Sequence, residues 1–109
     1  MDNTNKKALS MLSIASKAGK VVSGGFMTER AIQDGSAKLV IIAEDASSNT
    51  KKKFTDKCSY YRIPYMVFGS SAILGNQIGR QDRKTVAVTD EGLANQILIK
   101  IESSKDMEV

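Results

Sequence analysis

The side chains best equipped for chemistry in this sequence are cations, and they come in three groups. Phe26 and Arg30 stand four apart behind the glycine pair of "VVSGGFMTER"; Arg80, Arg83 and Lys84 crowd "GRQDRKT"; Lys51, Lys52, Lys53 and Lys57 load "TKKKFTDK". Arginine in a polar loop suits phosphate contacts or guanine recognition. An aromatic ring beside a guanidinium suits stacking of unpaired bases. Gly24-Gly25 leads into a helix, where small residues let an anion approach the free N–H groups and the positive end of the helix dipole. The same pair also serves as a tight strand-to-helix turn. No Gly-Lys-Ser/Thr follows it and the dinucleotide fingerprint is missing. The lysine cluster reads as a solvated helix face.

Catalytic groups are scarce. The chain has no histidine, which removes imidazole bases, Ser-His and Cys-His pairs and the commonest transition-metal ligand. Glu44-Asp45 is a carboxylate pair, but no third ligand accompanies it. Capping the next helix, or accepting a hydrogen bond from a base or an arginine, is the expected role. Cys58 lies on an apolar stripe and reads as a small core residue. No metal site, cofactor or catalytic residue is expected, and a methyltransferase reading fails for want of a cofactor motif.

Composition points the same way. The 109 residues are 41% apolar and 26% charged, ordinary for a globular protein, and long enough for one domain with a sizeable core. Residues 1–84 hold 14 Lys/Arg against 7 Asp/Glu, whereas residues 85–109 hold 2 against 5. A basic body with an acidic end suits a protein that meets a polyanion on one surface. "MDNTNKK" lacks the apolar stretch of a signal peptide and no apolar run spans a membrane. With a lone cysteine, a cytoplasmic setting and no membrane partner are expected.

Periodicity supplies the elements that must position these groups. "TNKKALSMLSIASKAG" repeats apolar residues at helical spacing, with Thr4 or Asn3 as cap and Gly19 as terminator. Val21-Val22 is a short strand and Gly25–Asp34 a helix. About that helix, at about 100° per residue, Met27, Thr28, Ala31 and Ile32 share the core side while Phe26, Glu29, Arg30 and Gln33 face away. "KLVIIA" is a strand covered on both faces. A helix follows over "SSNTKKKFTDKCSYY", with Phe54, Cys58 and Tyr61 on one stripe and Tyr60 and Tyr61 divided between surface and interior. "YMVFG" is a strand, "SSAILGNQIG" a short helix and "KTVAVTD" a strand, before a final helix capped by Asp90. Such alternation predicts helices on both faces of a small, largely parallel sheet. Ligands then gather at strand ends: the loops after Val22, Ala43, Phe68 and Thr89, or the opposite end near Asp34–Ala37 and Gly79–Lys84.

The stretches "MLSIASKAGKVVSGG", "AIQDGSAKLVIIAEDASSNTKKK", "IPYMVFGSSAILGNQIG" and "VAVTDEGLA" resemble the kink-turn-binding ribosomal protein family of the L-seven-Ae and L-thirty-e type. Within it they most resemble the small bacterial YlxQ subgroup, from about Lys7 to Leu98. The resemblance implies an α/β fold, a three-layer α/β/α sandwich around a four-stranded mixed sheet, and one ribosomal-protein-like RNA-binding domain over residues 1–109. It implies RNA binding rather than catalysis, on ribosomal or other structured RNA, with ribosome or translation-associated proteins as further partners. Carried over by position, the RNA-binding residues are Gly24, Gly25, Phe26, Met27 and Arg30, with Arg83, Lys84 and Thr85 from the loop before the last strand and Glu44 and Asp45 nearby. Kink-turn readers of this family place an Asn-Glu pair where this chain has Phe26-Met27. Two hydrogen-bonding side chains are thereby lost, about 1–3 kcal/mol of recognition per good pair. Altered specificity, with Phe26 stacking and Met27 leaning inward, is the expectation; a protein-interaction module using Phe26-Met27 as an apolar anchor is the alternative.

Overall fold

Leu39–Ile42 forms a strand buried along its whole length, as an unbroken apolar run must be when both faces are covered. The structure, a computed structural model, describes residues 4–107. Its helices are α1 (Thr4–Lys17), α2 (Gly25–Gln33), α3 (Ser48–Tyr61), α4 (Ser71–Gln77) and α5 (Glu91–Met107). Its strands are β1 (Val21–Ser23), β2 (Leu39–Ile42), β3 (Tyr65–Val67) and β4 (Thr85–Val88). The four strands make one mixed sheet in the order β1-β4-β2-β3. Only β2 and β3 pair in parallel; β4 runs antiparallel to both β1 and β2. The largely parallel sheet predicted from alternation is therefore corrected, and the mixed sheet implied by the resemblance is found.

Alternate residues of β2 feed two separate cores. Leu39 and Ile41 pack with Leu12 of α1, Leu74 of α4 and Ile97 and Ile101 of α5. Val40 and Ile42 pack with Ala31 and Ile32 of α2 and Phe54 and Cys58 of α3. The sheet is thus the middle of three layers, since successive side chains of a strand point to opposite faces.

The helix boundaries follow local chemistry. Ser47 caps α3 by accepting the Thr50 N–H at 3.1 Å, Ser70 caps α4 through the Ile73 N–H at 3.1 Å, and Asp90 caps α5 through the Leu93 N–H at 2.9 Å. At the end of α1 the Lys20 N–H reaches back to the Ala15 carbonyl at 2.9 Å around Gly19, the expected terminator. Of the two caps proposed for α1, Asn3 lies outside the described residues. Tyr60 and Tyr61 are both exposed, so the inward place predicted for Tyr61 is corrected. The stripe begun by Phe54 and Cys58 runs off the core at the helix end, where Arg62 takes a left-handed conformation (φ 60°).

The antiparallel β4 decides which loops meet. The ends of β1, β2 and β3 gather with the start of β4, so Ser23-Gly24, Ala43–Asp45, Gly69–Ser71 and Arg80–Lys84 share one end of the sheet. The loop after Thr89, grouped in the sequence reading with the ends of the other strands, lies at the opposite end.

Candidate nucleic-acid interface

Helix α2 begins without a side-chain cap. Gly24 occupies the cap position at φ 88°, ψ 160°, a conformation open essentially to glycine alone. Thr28 is the first residue of the helix to bond back, its N–H reaching the Gly24 carbonyl at 3.0 Å. The N–H groups of Gly25, Phe26 and Met27 therefore have no hydrogen-bond partner among the described residues, as the first turn of a helix leaves them. They sit at the positive end of the helix dipole.

Two bonds tie this helix start to the other basic element. The Gly24 N–H donates to the Thr85 carbonyl at 3.0 Å, and Arg83 Nε donates to Ser23 Oγ at 3.0 Å. Arg83 also anchors its own loop, its backbone N–H donating to the Ser71 carbonyl at 3.0 Å. Met27, Arg80 and Arg83 line a groove of about 380 Å³ that runs over β1 and the end of α1. The inward lean predicted for Met27 is corrected: it is 43% exposed and lines the open groove beside β1, an edge strand of the sheet.

A second cluster sets Lys84. Asp45 accepts from the Ser71 N–H and from Ser71 Oγ, both at 2.8 Å, and Lys84 Nζ lies 3.3 Å from Ser71 Oγ and 3.7 Å from Asp45. The hydrogen bonds from the Ser71 side chain and backbone hold the Asp45 carboxyl below its ordinary range. Asp45 thus braces α4, not the next helix, which Ser47 caps. Lys84 is left half-exposed beside Glu44, whose side chain faces solvent. Thr85 is different: it is fully buried and its hydroxyl donates to Thr28 Oγ1 at 3.1 Å. Its side chain belongs to the support beneath the surface.

Phe26 and Arg30 do share the outer face of α2, with Glu29 and Gln33, as helical geometry requires. Phe26 is 74% exposed. Glu29 was missed as a positioned group. Its two oxygens take Lys53 Nζ at 3.1 Å and Lys57 Nζ at 3.2 Å, so two of the lysines read as a solvated face instead bind α3 to α2. Those lysines hold the Glu29 carboxyl below the ordinary glutamate range, Lys53 first. Ser23 and Ser71 were missed too; nothing in local spacing links Ser71 to Asp45, 26 positions away.

Among the described residues no three acids or thiols gather to hold a metal ion, and no helix is long and apolar enough to cross a membrane. What this end of the sheet offers is an open, polar surface: three unpartnered N–H groups and the cations Arg80, Arg83 and Lys84 interleaved with Glu44, Asp45 and Asp82, with an aromatic ring at its margin.

Residues 6–98 match the model of the Ribosomal protein L7Ae/L30e/S12e/Gadd45 family. Over 88 residues the chain is 51% identical to the RNA-binding protein YlxQ of Bacillus subtilis (strain 168), spanning 81% of this chain and 88% of that one. A solved structure of a protein of unknown function from Bacillus halodurans C superposes with a TM-score of 0.85 at 38% identity, covering 88% of this chain and 97% of that one. The Giardia lamblia 15.5kD RNA binding protein superposes with a TM-score of 0.79 over 97% of this chain and 91% of its own. At 18% identity that second likeness is one of fold.

Proposed function

The chain belongs to the Ribosomal protein L7Ae/L30e/S12e/Gadd45 family, and from that premise we propose that it is a non-catalytic, cytoplasmic RNA-binding protein. It docks on ribosomal or other structured RNA through the start of α2 and the loop before β4. The observation that carries this reading is the joining of the uncapped α2 terminus, with its free N–H groups, and the loop that presents Arg80, Arg83 and Lys84 into one surface by the Gly24–Thr85 and Arg83–Ser23 bonds. The name of the Bacillus subtilis relative, an RNA-binding protein, supports it.

Roles follow from placement. The free N–H groups of Gly25 to Met27 and the side chains of Arg83 and Lys84 meet phosphates. Gly24 shapes the turn, and Asp45 and Thr85 support it from below. Phe26 stacks, and Arg30, one turn further along, contacts phosphate or a base edge. Glu44 accepts from a base or ribose hydroxyl. The exposed Phe26 and Met27 favour one second reading, an apolar anchor for a protein partner.

Fluorescence anisotropy against ribosomal RNA fragments over a salt series tests both. RNA binding predicts a log–log slope of about −0.7 to −0.9 per phosphate contact, reduced in an Arg83→Ala, Lys84→Ala double variant. Affinity that ignores salt, or is unchanged when Phe26 and Arg30 are both alanine, contradicts the proposal. A stoichiometric protein complex that persists after nuclease treatment supports the anchor instead.

A further inference from the structure

Beyond the helix terminus, the outer face of α2 carries an open groove of about 430 Å³ lined by Phe26, Glu29, Arg30 and Gln33. We propose that this groove is a slot for a single unpaired guanine base, stacked on Phe26 and read by Glu29, with Arg30 on the adjoining phosphate. The inference rests on the RNA-binding reading above and adds to it a base identity and the residue that selects it.

Three observations converge on that ligand. Phe26 presents a bare ring to solvent one turn from a guanidinium, the pairing that holds splayed-out bases. Glu29, between them on the same face, is a fixed acceptor. Lys53 and Lys57 each take one of its oxygens, which fixes the carboxylate, and each oxygen keeps a further lone pair for a donor in the groove that Glu29 lines. An ionised carboxylate can only accept. Guanine alone among the four bases places two adjacent donors, N1–H and the 2-amino group, on its Watson–Crick edge. Adenine and cytosine set a ring acceptor beside their single amino group, and uracil flanks its one N–H with carbonyls, so each would turn an acceptor toward Glu29. Thirdly, the groove adjoins the proposed RNA surface directly, since Phe26 is the second residue of α2. Arg30, Lys53 and Lys57 outnumber Glu29 and Asp34, so the surroundings tolerate the phosphates on either side.

The test uses short single-stranded oligouridines carrying one central guanine, inosine, adenine or cytosine, titrated by anisotropy into the full-length chain. Guanine should bind about tenfold tighter than adenine, and inosine, which lacks only the 2-amino group, should lose most of that advantage. Glu29→Gln should bring the guanine-to-adenine ratio near one. Phe26→Ala should weaken every oligomer and Phe26→Trp should restore binding, whereas Arg83→Ala should weaken all four with the ratio intact. Guanine and inosine binding alike, a preference that survives Glu29→Gln, or no binding of any oligomer each overturns the slot. The guanine–inosine comparison is made on the unaltered protein, so it does not depend on how a variant folds. Continued binding of structured ribosomal RNA in any of those cases leaves the wider RNA-binding reading standing.

Discussion

Gly24 and Gly25 are neighbours of the same type, and the backbone requires glycine at only one of them. Gly24 sits at φ +88° with no atom within 4 Å of a Cβ built on it, so the cost of a side chain there is torsional. Gly24→Ala should destabilise the protein by about 1–3 kcal/mol. Gly25 has no positive φ and an equally open Cβ direction. Gly25→Ala should stabilise by about 0.4–1 kcal/mol, by restricting the unfolded chain. Urea melts of the two variants should move in opposite directions; a shift of the same sign in both contradicts this account. Cys58 makes a second residue-scale case, since burial pushes its thiol up to about 11 and an aromatic disulfide reagent should react with it only as fast as the protein opens. Much of this scale was legible in the sequence. Helical spacing alone puts Thr28, Ala31 and Ile32 inward and Phe26 and Arg30 outward, as found. Met27 escaped because periodicity gives a side chain's direction about the helix axis, while its burial depends on what lies on that side, here the edge strand β1 and an open groove.

At the scale of elements, the decisive unit is α4 with the loop that leads into β4. A Cβ on Gly75 would fall on the carbonyl oxygen of Gln81, so the missing side chain is what lets the Arg80–Lys84 loop lie against α4. The Gly75 carbonyl also takes the Arg80 N–H at 2.8 Å, and the next two basic residues are held by Ser71 and Ser23. Gly75→Ala must therefore displace the loop backbone, at a cost of about 1–3 kcal/mol in stability. RNA affinity should fall with it and the salt slope should flatten, because Arg83 and Lys84 no longer converge with α2. Urea melts together with the salt-series titration check this, and wild-type values in both would show that the loop is not held this way. None of this docking was legible in the sequence, where Gly75 is one glycine inside a short helix. The direction of β4 was hidden for a related reason. An apolar strand reads the same in either direction, and only its partners decide which end joins which loops. Lys53 and Lys57 looked like a solvated face because Glu29, their partner, is distant in sequence and on another helix.

Across the whole molecule, the carboxylates do more joining than a net charge of +4 suggests. Glu29 links α2 to α3 and Asp45 links the end of β2 to α4, and Asp34 closes the turn after α2 by accepting the Ser36 N–H at 2.9 Å. Each is held below its ordinary value, 4.5 for Glu29 and 3.8 for the two aspartates, chiefly by hydrogen bonds from Lys53, Ser71 and Ser36 respectively. A carboxylate whose pKa is depressed by folding binds protons more readily in the unfolded chain. Its stabilising contribution is therefore complete above the unfolded value and is lost as pH falls through the folded one. Thermal stability should accordingly be level from neutral pH down to about 5 and then decline, while the accumulating positive charge adds self-repulsion. Removing the titration at the two inter-element sites separates these causes. The Glu29→Gln, Asp45→Asn double variant should melt lower than wild type at pH 7, with the gap narrowing toward pH 3, where wild type has lost the same contacts. Melting curves followed by circular dichroism across that range give the answer. A gap of constant width would mean that general charge repulsion, and not these ties between elements, governs the acid limb.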